Sequence, residues 1–366
     1  MASASNDISD SPAERVRHAL LRSGSEGAAR AMLDEVDAIL ASCEDPRQRI
    51  DVRHAVSQYH SLHGDNDRAI ECLVDADTDA GDDLSLRALV AYARGCVLNR
   101  QFALEEARSV LAPFITSDLA LVDPHVAARV HTLYAAVLDS LGQAAQSYEQ
   151  YQTAIRLREQ IGDPHGLAVV YYNFAESCVR RDENDIALEF FVRAYDIEKG
   201  LDDHASVAQS ACHIAVIMAR QGEVHEAERF ADIAIESARR SGMPVIIAHV
   251  MSNRASMFEI LGRAADREAA LRDTLAYLEE HPCDAIHGPT LGNLGTMCLE
   301  AGRLDEAEAH LTRALSWAVE NGYRYNEGFW RFVLGKLHLE RQDSDAAITE
   351  LDQAVQILRS VKAHQF

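Results

Sequence analysis

Histidine and cysteine are the residue types in this chain that could bind a metal, but their spacing argues against a site. Among sixteen histidines, His60 and His63 stand one helical turn apart, and His54 lies about one and a half turns away. No cysteine or carboxylate set completes a ligand group. The seven cysteines are scattered and none forms a C-x-x-C pair. We therefore predict reduced thiols, no metal and no cofactor. Because no G-x-S-x-G or phosphate-loop motif occurs, we also predict no catalytic activity.

A row of polar side chains is the first candidate for binding. The row recurs at intervals of 40 residues and consists of Asn173, His213, Asn253 and Asn293. Asn is a mediocre helix former because its amide competes for backbone hydrogen bonds, so such a row is costly unless something uses it. An amide is both donor and acceptor, and can therefore pair with the backbone of an extended peptide. Two alternatives stay open: the amides tie neighbouring helices together, or they face water.

Basic and aromatic residues fall on the same predicted helix face as this row. Arg180 and Arg220 form a basic spot whose guanidinium groups could hold a carboxylate. Glu176, one turn before Arg180, offers a simpler explanation for that arginine through an i,i+4 ion pair. His249 lies on this face, and Phe329 could anchor a ligand there, although core packing is the usual role of such a residue.

A 40-residue repeat supplies the elements that position these residues. Its turn positions are Gly24, Gly64, Phe102, Gly142, Asp182, Gly222, Gly262, Gly302 and Gln342. Seven residues before each turn from Gly64 onward the sequence is small: Ser57, Gly95, Ala135, Ala175, Ala215, Ala255, Gly295 and Gly335. Glycine at the turn can adopt the left-handed conformation that ends a helix, and small residues let two antiparallel helices, A and B, approach closely. The pattern predicts stacked helix pairs that share one continuous core.

The phase of the repeat fixes the predicted helices. Helix A is expected at 123–140, 164–180, 204–220, 244–260, 284–300 and 324–340, and helix B at 144–160, 184–200, 224–240, 264–280, 304–320 and 344–361. Three less regular pairs are expected near 12–42, 46–78 and 83–115. At 100° per residue, positions two, six, nine and thirteen before the turn share the side of helix A opposite the small residue. The polar row occupies the position nine residues before each turn.

This pattern of small residues resembles the tetratricopeptide repeat over essentially the whole chain. The 40-residue period is similar to the long-helix variants of kinesin light chains, Leu-Gly-Asn-type spindle adaptors and bacterial Rap-like peptide receptors. The resemblance implies an all-α, right-handed α-solenoid of about nine helix-turn-helix repeats. It also implies that the opposite side of helix A lines a concave groove. There, Asn173, Asn253 and Asn293 would contact a peptide main chain, and His213 departs from the pattern.

Four segments are expected along the chain. They are a disordered N-terminus (1–11), three less regular repeats (12–122), six regular repeats (123–361), and the start of a truncated continuation (362–366). The last expectation arises because a new helix A is due where the sequence reads SVKAHQF, and a solenoid normally ends in a polar cap.

The net charge of −23 disfavours nucleic acid and anionic membranes as partners, since both are bound by basic surfaces. No signal peptide or spanning segment is seen, so a cytoplasmic location is predicted.

Two functions compete. The first is a protein- or peptide-binding scaffold that uses the groove of helix A residues. Replacing both Asn253 and Asn293 by alanine should then weaken the binding of a partner without changing thermal stability. The alternative is the sensory or dimerising N-terminal region of a larger bacterial signalling protein, such as a cyclic-dinucleotide cyclase or a transcription regulator. A Rap-like receptor for a short signalling peptide ranks below both. A homodimer is compatible with each, and the ligand's identity does not follow from the sequence.

Overall fold

The computed structural model describes residues 11–22, 26–62, 65–115, 122–281 and 283–363. The chain divides into two compact units, Met1–Ser210 and Ala211–Phe366, called here the first and second unit. No β-strand occurs within the described ranges, in agreement with the predicted all-α class. Residues 1–10 of the expected disordered segment, the turn glycines Gly24 and Gly64, and residues 364–366 lie outside these ranges.

The helices follow one another with short connections. The first unit contains α1 (Pro12–Arg17), α2 (Glu26–Ser42), α3 (Pro46–Leu62), α4 (Asn66–Glu71), α5 (Ala76–Ala80), α6 (Leu84–Arg100), α7 (Leu104–Leu111), α8 (Pro124–Ser140), α9 (Ala144–Ile161), α10 (Pro164–Arg180) and α11 (Asn184–Gly200). Helix α12 (His204–Arg220) contains the boundary between the units. The second unit continues with α13 (Val224–Ser241), α14 (Pro244–Ile260), α15 (Ala264–Glu280), α16 (Asp284–Glu300), α17 (Leu304–Glu320), α18 (Arg324–Glu340) and α19 (Ser344–Ala363).

The twelve helices predicted from position 123 onward are confirmed, each bound within two residues. The three earlier pairs are present but less regular. In the pair predicted at 46–78, residues 72–75 divide the second helix into α4 and α5, and the fully buried Leu73 lies within this bend. The helix bounds therefore follow the 40-residue repeat where its spacing is constant, and depart from it in the earlier repeats, where the spacing varies.

The A–B turns adopt the expected left-handed backbone conformation. Positive φ angles between 57° and 81° occur at all seven described turn positions: Phe102, Gly142, Asp182, Gly222, Gly262, Gly302 and Gln342. A residue with a side chain is strained there by about 1–2 kcal/mol, because its Cβ approaches the following carbonyl oxygen. Glycine at four of these seven positions avoids that strain.

Helix A meets helix B where the small residues were found. The Ser57 hydroxyl donates a hydrogen bond of 2.6 Å to the carbonyl oxygen of Ala69, and the Ser147 hydroxyl donates one of 2.8 Å to that of Ala135. Each bond joins the position seven before the turn to the position five after it. A Cβ atom added at Gly295 would lie only 2.7 Å from Leu311 Cγ, so a larger residue there requires Leu311 to shift.

Arginine–glutamate pairs join consecutive repeats of the second unit. Arg303 donates to Glu268 at 2.8 and 2.9 Å, Arg341 donates to Glu308 at 2.7 Å, and Arg263 pairs with Glu228. Exposed pairs of this kind each add little stability, but they mark which helix B position faces the next repeat. None of the helices in the described ranges is long and apolar enough to cross a bilayer.

Candidate ligand-binding cavity of the first unit

A cavity of about 620 Å³ lies among helices α3, α6, α8, α9 and α10. Its wall includes every side chain two, six, nine and thirteen residues before the turns that end α8 and α10. These side chains are Arg129, Leu133, Ala136, Ser140, Val169, Asn173, Glu176 and Arg180. The side of helix A assigned to a groove thus forms the wall of one concave site. Its volume falls in the range of pockets that bind small ligands or peptide segments.

Arg129 is the central cation of this cavity. Its guanidinium carbon lies 4.5 Å from the ring centroid of Tyr92, within the range of a cation–π contact. The nearest carboxylate oxygen, Asp51 Oδ1, is 3.9 Å from Arg129 Nη1, beyond hydrogen-bonding distance. Burial raises the pKa of Asp51, and Arg129 only partly offsets this effect. Arg129 therefore carries its charge with no carboxylate of the described residues hydrogen-bonded to it.

Apart from Asp51, the titratable neighbours of this cation are neutral at physiological pH. The neighbouring Cys96, together with burial, raises the pKa of Tyr92 to about 12, and burial raises the pKa of the Cys96 thiol. Burial lowers the pKa of His54 to about 3, with smaller contributions from Arg129 and Arg17. The His54 ring meets Tyr92 edge to face at 5.5 Å. Within this cluster, Arg129 is therefore the group that carries a positive charge, and it lines the cavity.

Asn173 and Arg180, two of the predicted binding residues, lie on the same wall. The Asn173 amide is half-buried and makes no side-chain hydrogen bond to another described residue. Arg180 is half-exposed and donates to Asp139 Oδ2 from Nε at 3.1 Å and from Nη2 at 2.9 Å. The ion partner of Arg180 is thus Asp139 on α8, and not Glu176 as the i,i+4 spacing suggested. Burial raises the pKa of Glu176, a shift that Arg180 and a bond from Tyr172 reduce.

The sequence interpretation missed several residues of the cavity. Arg129 stood at the thirteenth position before its turn, but it was not selected. The same offsets counted back from Phe102 give Cys96 and Arg100, which also line the cavity. The offsets apply to helix A only, so they could not identify Arg158, which lies on α9, a helix B. Its side chain is 9% exposed and pairs with Asp163.

In the second unit, Asn253 ties two helices together. Its amide nitrogen lies 2.9 Å from His249 Nε2, and its side chain also hydrogen-bonds the Cys212 thiol of α12. Burial, with a smaller contribution from His249, lowers the pKa of His213 to about 4, and burial lowers that of His249. For Asn253, the alternative of inter-helix bonding therefore applies. Because the double replacement of Asn253 and Asn293 by alanine removes these contacts, it is expected to lower thermal stability as well as binding.

The remaining predicted residues lie on separate helices of the second unit. Asn293 of α16 is half-buried, and its amide has no side-chain hydrogen bond to another described residue. Arg220 is exposed at the end of α12. Phe329 of α18 is 38% exposed and meets Trp330 edge to face at 4.8 Å. None of these three residues lines the cavity of the first unit, and their role in binding stays a prediction.

Comparisons with known proteins identify the repeat. The tetratricopeptide repeat family model matches residues 126–199 and 288–360. No curated protein matches the chain.

Solved structures give the same fold. A Rap protein complexed with competence and sporulation factor is 14% identical, with a TM-score of 0.58 over 87% of this chain and 100% of its own. NprR in complex with its cognate peptide NprX is 14% identical, with a TM-score of 0.52 over 81% and 86% of the two chains. A signal transduction ATPase with a tetratricopeptide repeat sensor from Pyrococcus horikoshii is 11% identical, with a TM-score of 0.59. That match covers 94% of this chain and 55% of its own.

The family match over residues 126–199 and 288–360, together with the all-α fold of stacked helix pairs, shows that this chain contains tetratricopeptide repeats. Its architecture is an all-α repeat solenoid. The identities to the solved structures are low enough that they establish the fold alone, and the resemblance to kinesin light chains stays unconfirmed.

Proposed function

We propose that the chain is a non-catalytic scaffold whose first unit binds an extended peptide segment in the cavity among α3, α6, α8, α9 and α10. The observation that carries this proposal is that eight positions of two consecutive A helices, chosen by one spacing rule, all line that cavity. Tetratricopeptide folds generally serve as scaffolds. The Rap and NprR structures, each solved with a bound factor or peptide, support a ligand of this class.

The polar groups of the cavity suit a peptide that carries an acidic group. Asn173 supplies a donor and an acceptor for a peptide backbone, since its amide is not used by the described residues. Arg129 supplies a positive charge whose side chain is 28% exposed and whose nearest carboxylate oxygen is 3.9 Å away. A carboxylate of the ligand would neutralise Arg129 more directly than Asp51 does. The ligand would therefore place backbone near Asn173 and a carboxylate near Arg129.

The test uses a peptide selected from a random dodecapeptide display library on the immobilised chain, then titrated by calorimetry. Asn173→Ala should weaken binding by roughly 2–10-fold, the effect of losing one neutral hydrogen bond. Arg129→Gln should weaken it by roughly 10–100-fold, because a charged hydrogen bond is lost. Matched controls are Asn66→Ala on the exposed start of α4 and Arg108→Gln on α7, neither of which lines the cavity. Unchanged affinity in both cavity variants would refute the proposal.

The findings do not favour the alternative of a sensory or dimerising region of a cyclic-dinucleotide cyclase or transcription regulator. The cytoplasmic location and the exclusion of nucleic acid and membrane stay predictions from charge and sequence.

A further inference from the structure

Phe102 is an aromatic residue in a strained backbone conformation, at the turn between α6 and α7. Its φ angle is 57°, in the left-handed region, where a bulky side chain is rarely found. The other non-glycine residues with positive φ in the described ranges are Asp182, Asp202 and Gln342. A polar side chain can offset such strain locally, as Asp182 does by accepting a hydrogen bond of 2.8 Å from Asn184. A phenylalanine ring offers no such compensation.

The hydrogen bonds of the turn impose this conformation. The backbone N–H of Phe102 donates to the carbonyl oxygen of Asn99 at 3.1 Å, and that of Ala103 donates to Leu98 at 2.9 Å. The glycine turn at Gly142 contains the same two bonds, at 2.9 and 2.8 Å. Glycine would form the turn at position 102 without strain, so the turn itself does not require a phenylalanine.

The ring of Phe102 lies where the cavity of the first unit opens to solvent. Phe102 is 73% exposed, the highest fraction of any large apolar residue in the described ranges, so core packing does not offset its strain. It nevertheless lines the cavity, together with Arg100 and Leu104 on either side of the turn. Of the described A–B turn positions, it is the one that does so. Strained residues that the surrounding structure holds in place cluster at ligand-binding sites.

We infer that Phe102 packs against an apolar side chain of the bound peptide and selects peptides that carry one. This inference rests on the proposed function, because its occupant is the acidic peptide proposed for the same cavity. Leu104 is half-buried and extends the apolar surface, and the exposed Arg100 places a positive charge beside it. The opening therefore matches a segment in which a large apolar residue adjoins an acidic one.

The strain of Phe102 does not reduce the affinity for the peptide. The strained turn is present both before and after binding, so its cost cancels between the two states. The turn also holds the ring in position in advance, and little conformational entropy is lost when the peptide arrives. Burial of one exposed aromatic ring should then contribute roughly 10–100-fold to affinity.

Calorimetric titration of the dodecapeptide selected by display tests the inference. Phe102→Gly should weaken binding by about 10-fold or more, while the midpoint of urea unfolding stays unchanged or rises because strain is removed. Phe102→Tyr keeps the ring and should bind within about 3-fold of the natural chain. The matched control is Gln342→Gly, which relieves the same kind of turn at a φ of 61° and does not line the cavity. This control should bind like the natural chain.

An alanine scan of the peptide identifies the partner of the ring. Replacing one apolar peptide residue should cost about 10-fold in affinity for the natural chain and little for Phe102→Gly. Equal effects of every peptide substitution on the two proteins would overturn the inference. Unchanged affinity in Phe102→Gly with a loss in Arg129→Gln would overturn the inference and leave the proposed function standing. Unchanged affinity in Phe102→Gly, Arg129→Gln and Asn173→Ala alike would overturn both.

Discussion

Replacing His54 by phenylalanine should make the stability of the protein less sensitive to acid. His54 is 1% exposed, and neither ring nitrogen has a hydrogen-bond partner among the described residues. Burial lowers its pKa to about 3, whereas an unfolded chain would show its ordinary value of about 6.5. Between these values the unfolded state binds the extra proton, so stability is present above pH 6.5 and is lost as the pH falls. At pH 5 this loss amounts to about 2 kcal/mol relative to pH 7.

Urea unfolding followed by circular dichroism at pH 7 and pH 5 measures this effect. Between the two pH values, the free energy of unfolding of the natural chain should fall by about 2 kcal/mol more than that of His54→Phe, since the other titrating groups contribute equally to both proteins. His165→Phe on the first turn of α10, where the side chain is 68% exposed, is the control and should behave like the natural chain. Equal acid sensitivity of His54→Phe and the natural chain would show that His54 is hydrated in the folded protein.

Two further predictions concern the turns and the contacts between helices. Gly222→Ala should lower the free energy of unfolding by about 1 kcal/mol because φ is 81° at this position, whereas Asp182→Gly, at a φ of 61°, should raise it by a comparable amount. The midpoints of urea unfolding measure both changes. A loss of stability in both variants would contradict the strain argument. Gly295→Val should destabilise by about 1–3 kcal/mol because Leu311 fills the space of the added atoms. Gly200→Ala, whose Cβ meets nothing within 4 Å, should instead raise the melting temperature, and a similar loss in both variants would refute the packing argument.

The fold could be predicted from the sequence because its determinants are local and periodic. Gly142 and Gly222 adopt positive φ within turns that sequence spacing alone located. Ser147 bonds Ala135 across a distance of twelve residues, so a small residue on either side of the turn was a sufficient signal. The offsets from each turn likewise identified the side of helix A that lines the cavity.

The chemistry of the cavity could not be predicted in the same way because it depends on approaches between helices far apart in sequence. Arg129 meets Tyr92 and Asp51 across three helices, two of which belong to the less regular repeats. Arg180 lies one turn from Glu176, yet it bonds Asp139 on the preceding A helix, 41 residues earlier. Periodicity gives the direction of a side chain, but not the identity of the partner that competes for it.

Photo-crosslinking of the selected dodecapeptide tests most directly that the cavity of the first unit is the binding site. Benzoylphenylalanine would be placed at Ala136, in the cavity wall, and in a second variant at Ile186, exposed outside it. The cavity proposal predicts a peptide adduct at position 136 that excess unlabelled peptide abolishes, and little adduct at position 186. An adduct at position 186 with none at position 136 would contradict it.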